Sequence, residues 1–238
     1  MSPQTSLSVS IKLRRKIRPL LFRLLWPVLN HQLKKNADTM VAGFKLRTDM
    51  EVFHPKYFFS SQILGRYLAS KILVNEKVLD MGTGSGVIGI MAAKRGAQVL
   101  AVDINPAAVA LANENASLHN LTDRWRCIKS DLFSCLDPTE KFDWIAFNPP
   151  YFPHPARRPQ EAAWHAGENY ETIERFLLQA KSFLKTNGRI VMILSSDMPL
   201  DFLHDQFQRC GYHIAAHDSE PHLFEIFHLV QLQASDGL

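Results

Sequence analysis

Asn148-Pro149-Pro150-Tyr151 is the run in this 238-residue chain best suited to chemistry. Two consecutive prolines fix φ at both positions and stiffen the loop. A stiff loop aims the Asn148 side chain and nearby backbone carbonyls, that of Pro149 among them, at one spot. A conjugated amide or amine nitrogen is planar, with a delocalised lone pair, and is a poor nucleophile. Accepting hydrogen bonds from its two N–H groups favours pyramidalisation and points the lone pair at an electrophile. Tyr151 supplies a ring on which a planar substrate can stack. Taken alone, the run is also a proline turn with a capping Asn. Its position after a strand is what favours the chemical reading.

Three further strand ends carry candidate ligand contacts. Val78-Leu79-Asp80-Met81-Gly82-Thr83-Gly84-Ser85-Gly86 reads as a strand end, a glycine loop and a helix start. Its glycines allow tight turning and close approach of a ligand to the backbone. The spacing is G-x-G-x-G and not the G-x-G-x-x-G of dinucleotide binders, so no pyrophosphate need be cradled. Asp103 ends the second strand, where a carboxylate suits two ribose hydroxyls. Asn105-Pro106 is the better cap for the next helix and leaves Asp103 for a ligand, with Ile104 placed against an adenine ring. Ser130-Asp131-Leu132 ends the third strand, where Asp131 can accept from an adenine amine. All these sites lie at carboxyl ends of strands, where open α/β sheets bind ligands.

The elements that must position these residues alternate from Val52 onward. Strands are expected at Val78-Leu79, Val99–Val102, Trp125–Lys129, Trp144–Phe147, Arg189–Ser195, Tyr212–Ala216 and Glu225–Gln231. Helices are expected over 60–73, 85–96, 106–118, about 170–184 and 199–210, with Ser60 or Ser61 starting the first. This is an α/β pattern: a doubly wound, Rossmann-like, mostly parallel sheet with helices on both faces.

The N-terminal part differs. Residues 1–50 carry ten Lys/Arg against two Asp/Glu, a net +8 that leaves −4 for residues 51–238 out of a total of +4. A uniformly basic nucleic-acid-binding surface is therefore not indicated. Residues 1–50 are expected to form a basic amphipathic helical extension, with 51–238 as the main domain. Within it, residues 11–35 place apolar side chains at roughly helical spacing between basic ones, broken at Pro19 and Pro27. Arg23 interrupts the apolar run, so neither a membrane span nor a signal peptide fits. A helical cap over the acidic body ranks first for this segment, ahead of peripheral membrane contact and nucleic-acid contact. Cys127, Cys135 and Cys210 lack paired spacing, and the histidines lack ligand spacing. A reduced cytoplasmic setting and no metal are the expectations.

Together these motifs resemble the class I S-adenosylmethionine (SAM)-dependent methyltransferases, and among them the HemK-like small-domain N-methyltransferases. The likeness runs from about Val52 to Gly188 and includes Val52-Phe53-His54-Pro55 with Ser60-Ser61, the glycine loop, Asp103-Ile104-Asn105-Pro106, Ser130-Asp131-Leu132-Phe133 and the Asn-Pro-Pro-Tyr loop. It implies the seven-stranded sheet of that class and SAM as cofactor. It implies contacts to SAM from Asp80, Gly82, Thr83, Gly84, Gly86, Asp103, Ile104, Asp131, Leu132 and Asn148. It implies N-methylation of a planar amide or amine, a protein glutamine or a nucleobase, held by Asn148, Pro149 and Tyr151. Phe53, Tyr151, Arg157, Trp164 and Tyr170 are the candidate substrate residues. Trp164-His165-Ala166-Gly167-Glu168-Asn169-Tyr170 departs from the family's Trp-x-Gly-Gly-x-x-Gly, with Ala166 and Tyr170 in place of glycines, and the N-terminal piece is shorter than the HemK helical domain. These departures keep open a small-molecule acceptor or a transformation of SAM without an external acceptor. A non-enzymatic SAM- or nucleic-acid-binding module ranks last.

Overall fold

A computed structural model of the chain describes residues 38–52, 59–155, 165–222 and 225–235. A short hairpin, β1 (Thr39–Val41) and β2 (Phe44–Leu46), precedes the alternating part. There follow α1 (Ser60–Lys71), β3 (Lys77–Met81), α2 (Val87–Lys94), β4 (Gln98–Asp103), α3 (Pro106–Leu118), β5 (Trp125–Lys129) and β6 (Phe142–Phe147). The chain continues through α4 (Glu171–Ala180), a 3-10 turn (Lys181–Phe183), β7 (Leu184–Ser195), α5 (Leu200–Arg209), β8 (Tyr212–His222) and β9 (Glu225–Ala234).

β3 to β9 form one seven-stranded sheet in the order β5-β4-β3-β6-β7-β9-β8. The first five strands in that order are parallel, and β9 runs antiparallel to both β7 and β8. The inner strands are apolar on both faces because both faces are covered. Leu79, Leu100, Ile145 and Met192 face a core completed by Ile173 and Phe176 of α4 and Leu203 and Phe207 of α5. Val78, Val99, Trp144 and Val191 face the opposite core, completed by α1 and α2. The chain builds outward through β3, β4 and β5, then returns to place β6 on the other side of β3. That reversal is the topological switch point of the sheet.

Several boundaries differ from the sequence-based expectation. The helical reading of residues 1–50 was made on 11–35, which lie outside the described residues. Within the described part, residues 39–46 are a hairpin and not a helix. Ala42 and Gly43 form its loop at φ 50° and 85°, the two left-handed positions of a tight hairpin turn. Val41 and Leu46 are buried in the α1/α2 core, so the hairpin packs as part of the main domain. β7 starts five residues earlier than expected, because residues 185–188 loop out of register between the Phe142–Leu184 and Trp144–Arg189 pairs. α4 ends at Ala180, and its expected last turn is the 3-10 turn. β8 extends to His222, since its partner β9 continues the ladder outward. Among the described residues no helix is long and apolar enough to cross a membrane.

A close contact between helix and sheet lies under the glycine loop. Gly89 of α2 faces β3 so closely that an added Cβ would sit 2.7 Å from the Trp125 ring and 3.0 Å from Asp80 Oδ2 and Val99 Cγ1. Two of those neighbours are central-strand side chains with nowhere to move. Gly89→Ala should therefore destabilise the protein by about 1–3 kcal/mol in denaturant unfolding, despite alanine's better helix propensity.

Candidate functional site

The register of the parallel strands brings the predicted residues to one edge. Met81 of β3 lies opposite Phe147 of β6, so Gly82 and Asn148 leave the sheet side by side at the switch point. Met81 also lies opposite Val102 of β4, which sets Asp103 beside the loop. Asp103 pairs with Lys129 of β5, so Ile104 and Ser130 follow next to each other.

Asp80 has no exposure to solvent. Its Oδ2 accepts from the Thr83 hydroxyl at 2.6 Å and from the Gly89 backbone N–H at 2.9 Å. Its Oδ1 has no hydrogen-bond partner among the described residues. Burial outweighs the two donors and pushes the carboxyl pKa up to about 6. Thr83 therefore supports Asp80 from within, and its own N–H donates to the Val102 carbonyl at 2.9 Å. Gly82, Gly84 and Gly86 turn the loop at φ 66°, 55° and 87°, a left-handed run that side chains resist. Space for a ligand is left at the first two: a Cβ on either would meet nothing closer than 3.8 Å.

Asp103 bridges this loop to the next turn. Its Oδ2 accepts from Gly84 N at 2.9 Å and its Oδ1 from Asn105 N at 2.9 Å. Asn105 caps α3 as expected, accepting from Ala107 N at 3.0 Å. Asp103 is thus engaged by the backbone, yet each oxygen keeps a second lone pair for a ligand hydroxyl. Burial raises its pKa, against the pull of these backbone donors. Ser130 shapes the following turn by donating to the Leu132 carbonyl at 2.7 Å, and Leu132 sits buried at φ 51°. Asp131 is half exposed and pairs with Arg175 at 2.7 Å.

Asn148 has the most constrained side chain of the set. Its Nδ2 donates to Ser60 Oγ at 3.0 Å and to Ser61 Oγ at 2.9 Å. Its Oδ1 accepts from the Tyr151 hydroxyl at 2.9 Å. Pro149 and Pro150 are buried behind it. Tyr151 is half-buried and packs against both cores, and its hydroxyl braces Asn148. Burial, with a smaller push from the Glu225 carboxylate, raises the Tyr151 pKa and keeps the phenol protonated. Ser60 and Ser61 were read as helix starters. The N-cap position of α1 is Phe59, without a side-chain cap bond, and the serine hydroxyls serve Asn148 instead. Glu225, bonded to Ser195 at the end of β7, is a further group at this edge that the sequence reading missed.

The chain leaving the loop is pinned to the segment before α4. Phe152 bridges His165, Ala166 N donates to Phe152 O at 2.9 Å, and Gly167 N donates to His154 O at 3.0 Å. Tyr170 is buried, with its backbone at φ 60° and its hydroxyl 3.5 Å from the Tyr151 carbonyl. Phe53, Arg157 and Trp164 lie outside the described residues.

Residues 43–219 match the methyltransferase small domain family. The chain belongs to that family. This methyltransferase is 38% identical over 164 residues to a protein of Methanocaldococcus jannaschii provisionally named a protein N5-glutamine methyltransferase, covering 66% of this chain and 79% of that one. It is 32% identical over 126 residues to a tRNA1(Val) (adenine(37)-N6)-methyltransferase of Bacteroides thetaiotaomicron, covering 51% of this chain and 53% of that one. Its fold matches the ribosomal protein L11 methylase of Lactobacillus delbrueckii subsp. bulgaricus with a TM-score of 0.60 at 21% identity, over 78% of this chain and 82% of that one. The sheet is that of a class I, SAM-dependent methyltransferase.

The buried carboxyl under the loop gives this methyltransferase a pH signature. A folded pKa near 6, above the unfolded value of 3.8, means the folded state holds a proton that the unfolded state has lost between those values. Asp80 therefore makes stability fall as pH rises through that window and adds no further slope above it. Asp80→Asn removes the titration. The unfolding free energy of the variant relative to the parent should rise by up to about 3 kcal/mol between about pH 4 and pH 6, measured by denaturant unfolding at each pH.

Proposed function

We propose that this methyltransferase moves the SAM methyl group to the side-chain amide nitrogen of a protein glutamine. The observation that carries the reading is the Asn148 carboxamide, fixed beside the glycine loop with its carbonyl oxygen still able to accept one more hydrogen bond.

The residues fit the cofactor. The left-handed glycines leave the backbone open to close approach, and Asp103 retains lone pairs for the ribose hydroxyls. Ile104 and Leu132 supply apolar surface for the adenine, and Asp131 an acceptor at its edge once shared with Arg175. The spare Oδ1 of Asp80 is a buried acceptor matched to a cationic donor. When bound, SAM supplies a methyl group activated by its sulfonium. Asn148 Oδ1 and the neighbouring loop carbonyls accept from the N–H groups of the acceptor, localise its lone pair and hold it in line. Catalysis is then alignment of the two reactants: the nitrogen–carbon bond forms as the methyl–sulfur bond breaks, the neutral thioether S-adenosylhomocysteine leaves, and the methylated nitrogen gives up one proton to water.

Two considerations support glutamine over a nucleobase. The relative with the longer coverage carries the glutamine assignment. The part of the chain from residue 51 onward is net acidic, which disfavours phosphate. Labelled SAM incubated with separated protein and RNA pools is the test. Label should enter protein, survive ribonuclease and be recovered as methylglutamine. Label confined to RNA would replace the glutamine reading with a base reading, and turnover of SAM without any pool would remove the external acceptor altogether. Asn148→Ala should lower methyl transfer by at least about 100-fold while SAM affinity is retained. Equal loss of both would contradict its assigned role.

A further inference from the structure

The three hydroxyls around Asn148 do more than anchor it. They decide which way round the carboxamide sits. As observed, both Nδ2 hydrogens are used, one on Ser60 Oγ at 3.0 Å and one on Ser61 Oγ at 2.9 Å, while Oδ1 takes the Tyr151 hydroxyl at 2.9 Å. A flipped carboxamide would place the oxygen between two serines and the nitrogen at one tyrosine. Three bonds would again form, but one amide hydrogen would be left without a partner in a half-buried site. An orphaned N–H is costlier than a carbonyl with a spare lone pair. The serine pair therefore sets the polarity of the site.

We propose that Ser60 and Ser61 are positioning residues that lock Asn148 as a pure hydrogen-bond acceptor, so that this methyltransferase selects acceptor nitrogens that carry hydrogen. The proposal rests on the N-methyltransferase reading and narrows it. A primary amide or exocyclic amine satisfies the spare lone pair of Oδ1. A ring nitrogen that offers only its own lone pair meets an opposing lone pair and is rejected, as sites built for a hydrogen-bonding partner reject molecules lacking it. Tyr151 is part of the lock: its hydroxyl also lies within hydrogen-bonding reach of Ser60. The α1 helix does not depend on the serines for its start, because neither caps it.

The test replaces both hydroxyls, Ser60→Ala with Ser61→Ala, in the full chain. Alanine suits a helix, and Ser61→Ala alone, at the half-buried position, serves if the double variant does not fold. Proton–nitrogen correlation spectra follow the Asn148 side-chain amide, identified as the signal lost in Asn148→Ala. Its hydrogens should be protected from solvent exchange in the parent and exchange at least about tenfold faster in the variant. kcat for methyl transfer should fall by about 10- to 100-fold with SAM affinity unchanged. Ser61→Thr, which keeps the hydroxyl, should recover most of the kcat lost in Ser61→Ala. Unchanged amide exchange and unchanged kcat in the double variant would overturn the lock. The exchange measurement needs no acceptor, so failure of the glutamine reading leaves it standing and the two failures are distinct.

Discussion

The burial of one carboxylate organises the cofactor side of this molecule. Asp80 sits at the end of the central strand with no solvent contact, where an unpaired charge is expensive. Its two donors come from the loop and from the first turn of α2. Meeting Gly89 N requires α2 to approach β3 more closely than a side chain at position 89 would permit. With strand and helix held that near, residues 82–86 must turn back within five residues, and the left-handed glycines make that possible. The turn in turn aims Gly84 N at Asp103, so the end of β4 is tied to the same point. The loop is thus a consequence of a packing distance set by a buried charge.

Much of this was legible because the signals are local. Apolar runs covered on both faces, glycines at a strand end and an Asn-Pro cap all act within a few residues, and the strands and helices fall close to where they were read. What escaped was non-local or carried by an atypical residue. The β1–β2 hairpin turns on Ala42-Gly43, whose alanine adopts a left-handed conformation that Asn or Asp would have advertised. Ser60 and Ser61 carry the composition of a helix start, yet their hydroxyls meet a side chain 88 and 87 residues away. Nothing in the periodicity of α1 encodes that meeting; the sheet order does.

The aromatic residues at the acceptor side show the same limit. Tyr151 reads as a stacking surface by type, and nothing local announces that its hydroxyl also braces Asn148. Tyr170 stands where a glycine stands in the family pattern, and its backbone keeps the glycine-like conformation at φ 60°. That geometry costs a bulky residue about 1–2 kcal/mol. It is held by the bonds that pin Ala166 and Gly167 to the chain leaving the loop, and by the burial of the ring, which neighbours that of Phe202. The sequence departure is visible from residue types alone, whereas the left-handed backbone that carries it is not.

The two sides of the switch point differ in kind. Beneath the glycine loop lie two carboxylates, both raised by burial and both able to titrate nearer to neutrality than free aspartate. Around Asn148 the polar partners are hydroxyls and a carboxamide, and the phenol among them is held protonated by its burial. An asparagine oxygen accepts as a carboxylate does, but cannot itself be protonated out of use in the same range. On the proposed reaction this division is functional. A cationic donor is matched by buried negative charge, while a neutral amide is matched by neutral acceptors that would not bind its product any more tightly after the methyl has moved. The neutral clamp thus spends its hydrogen bonds on orientation, which is the contribution that alignment chemistry requires.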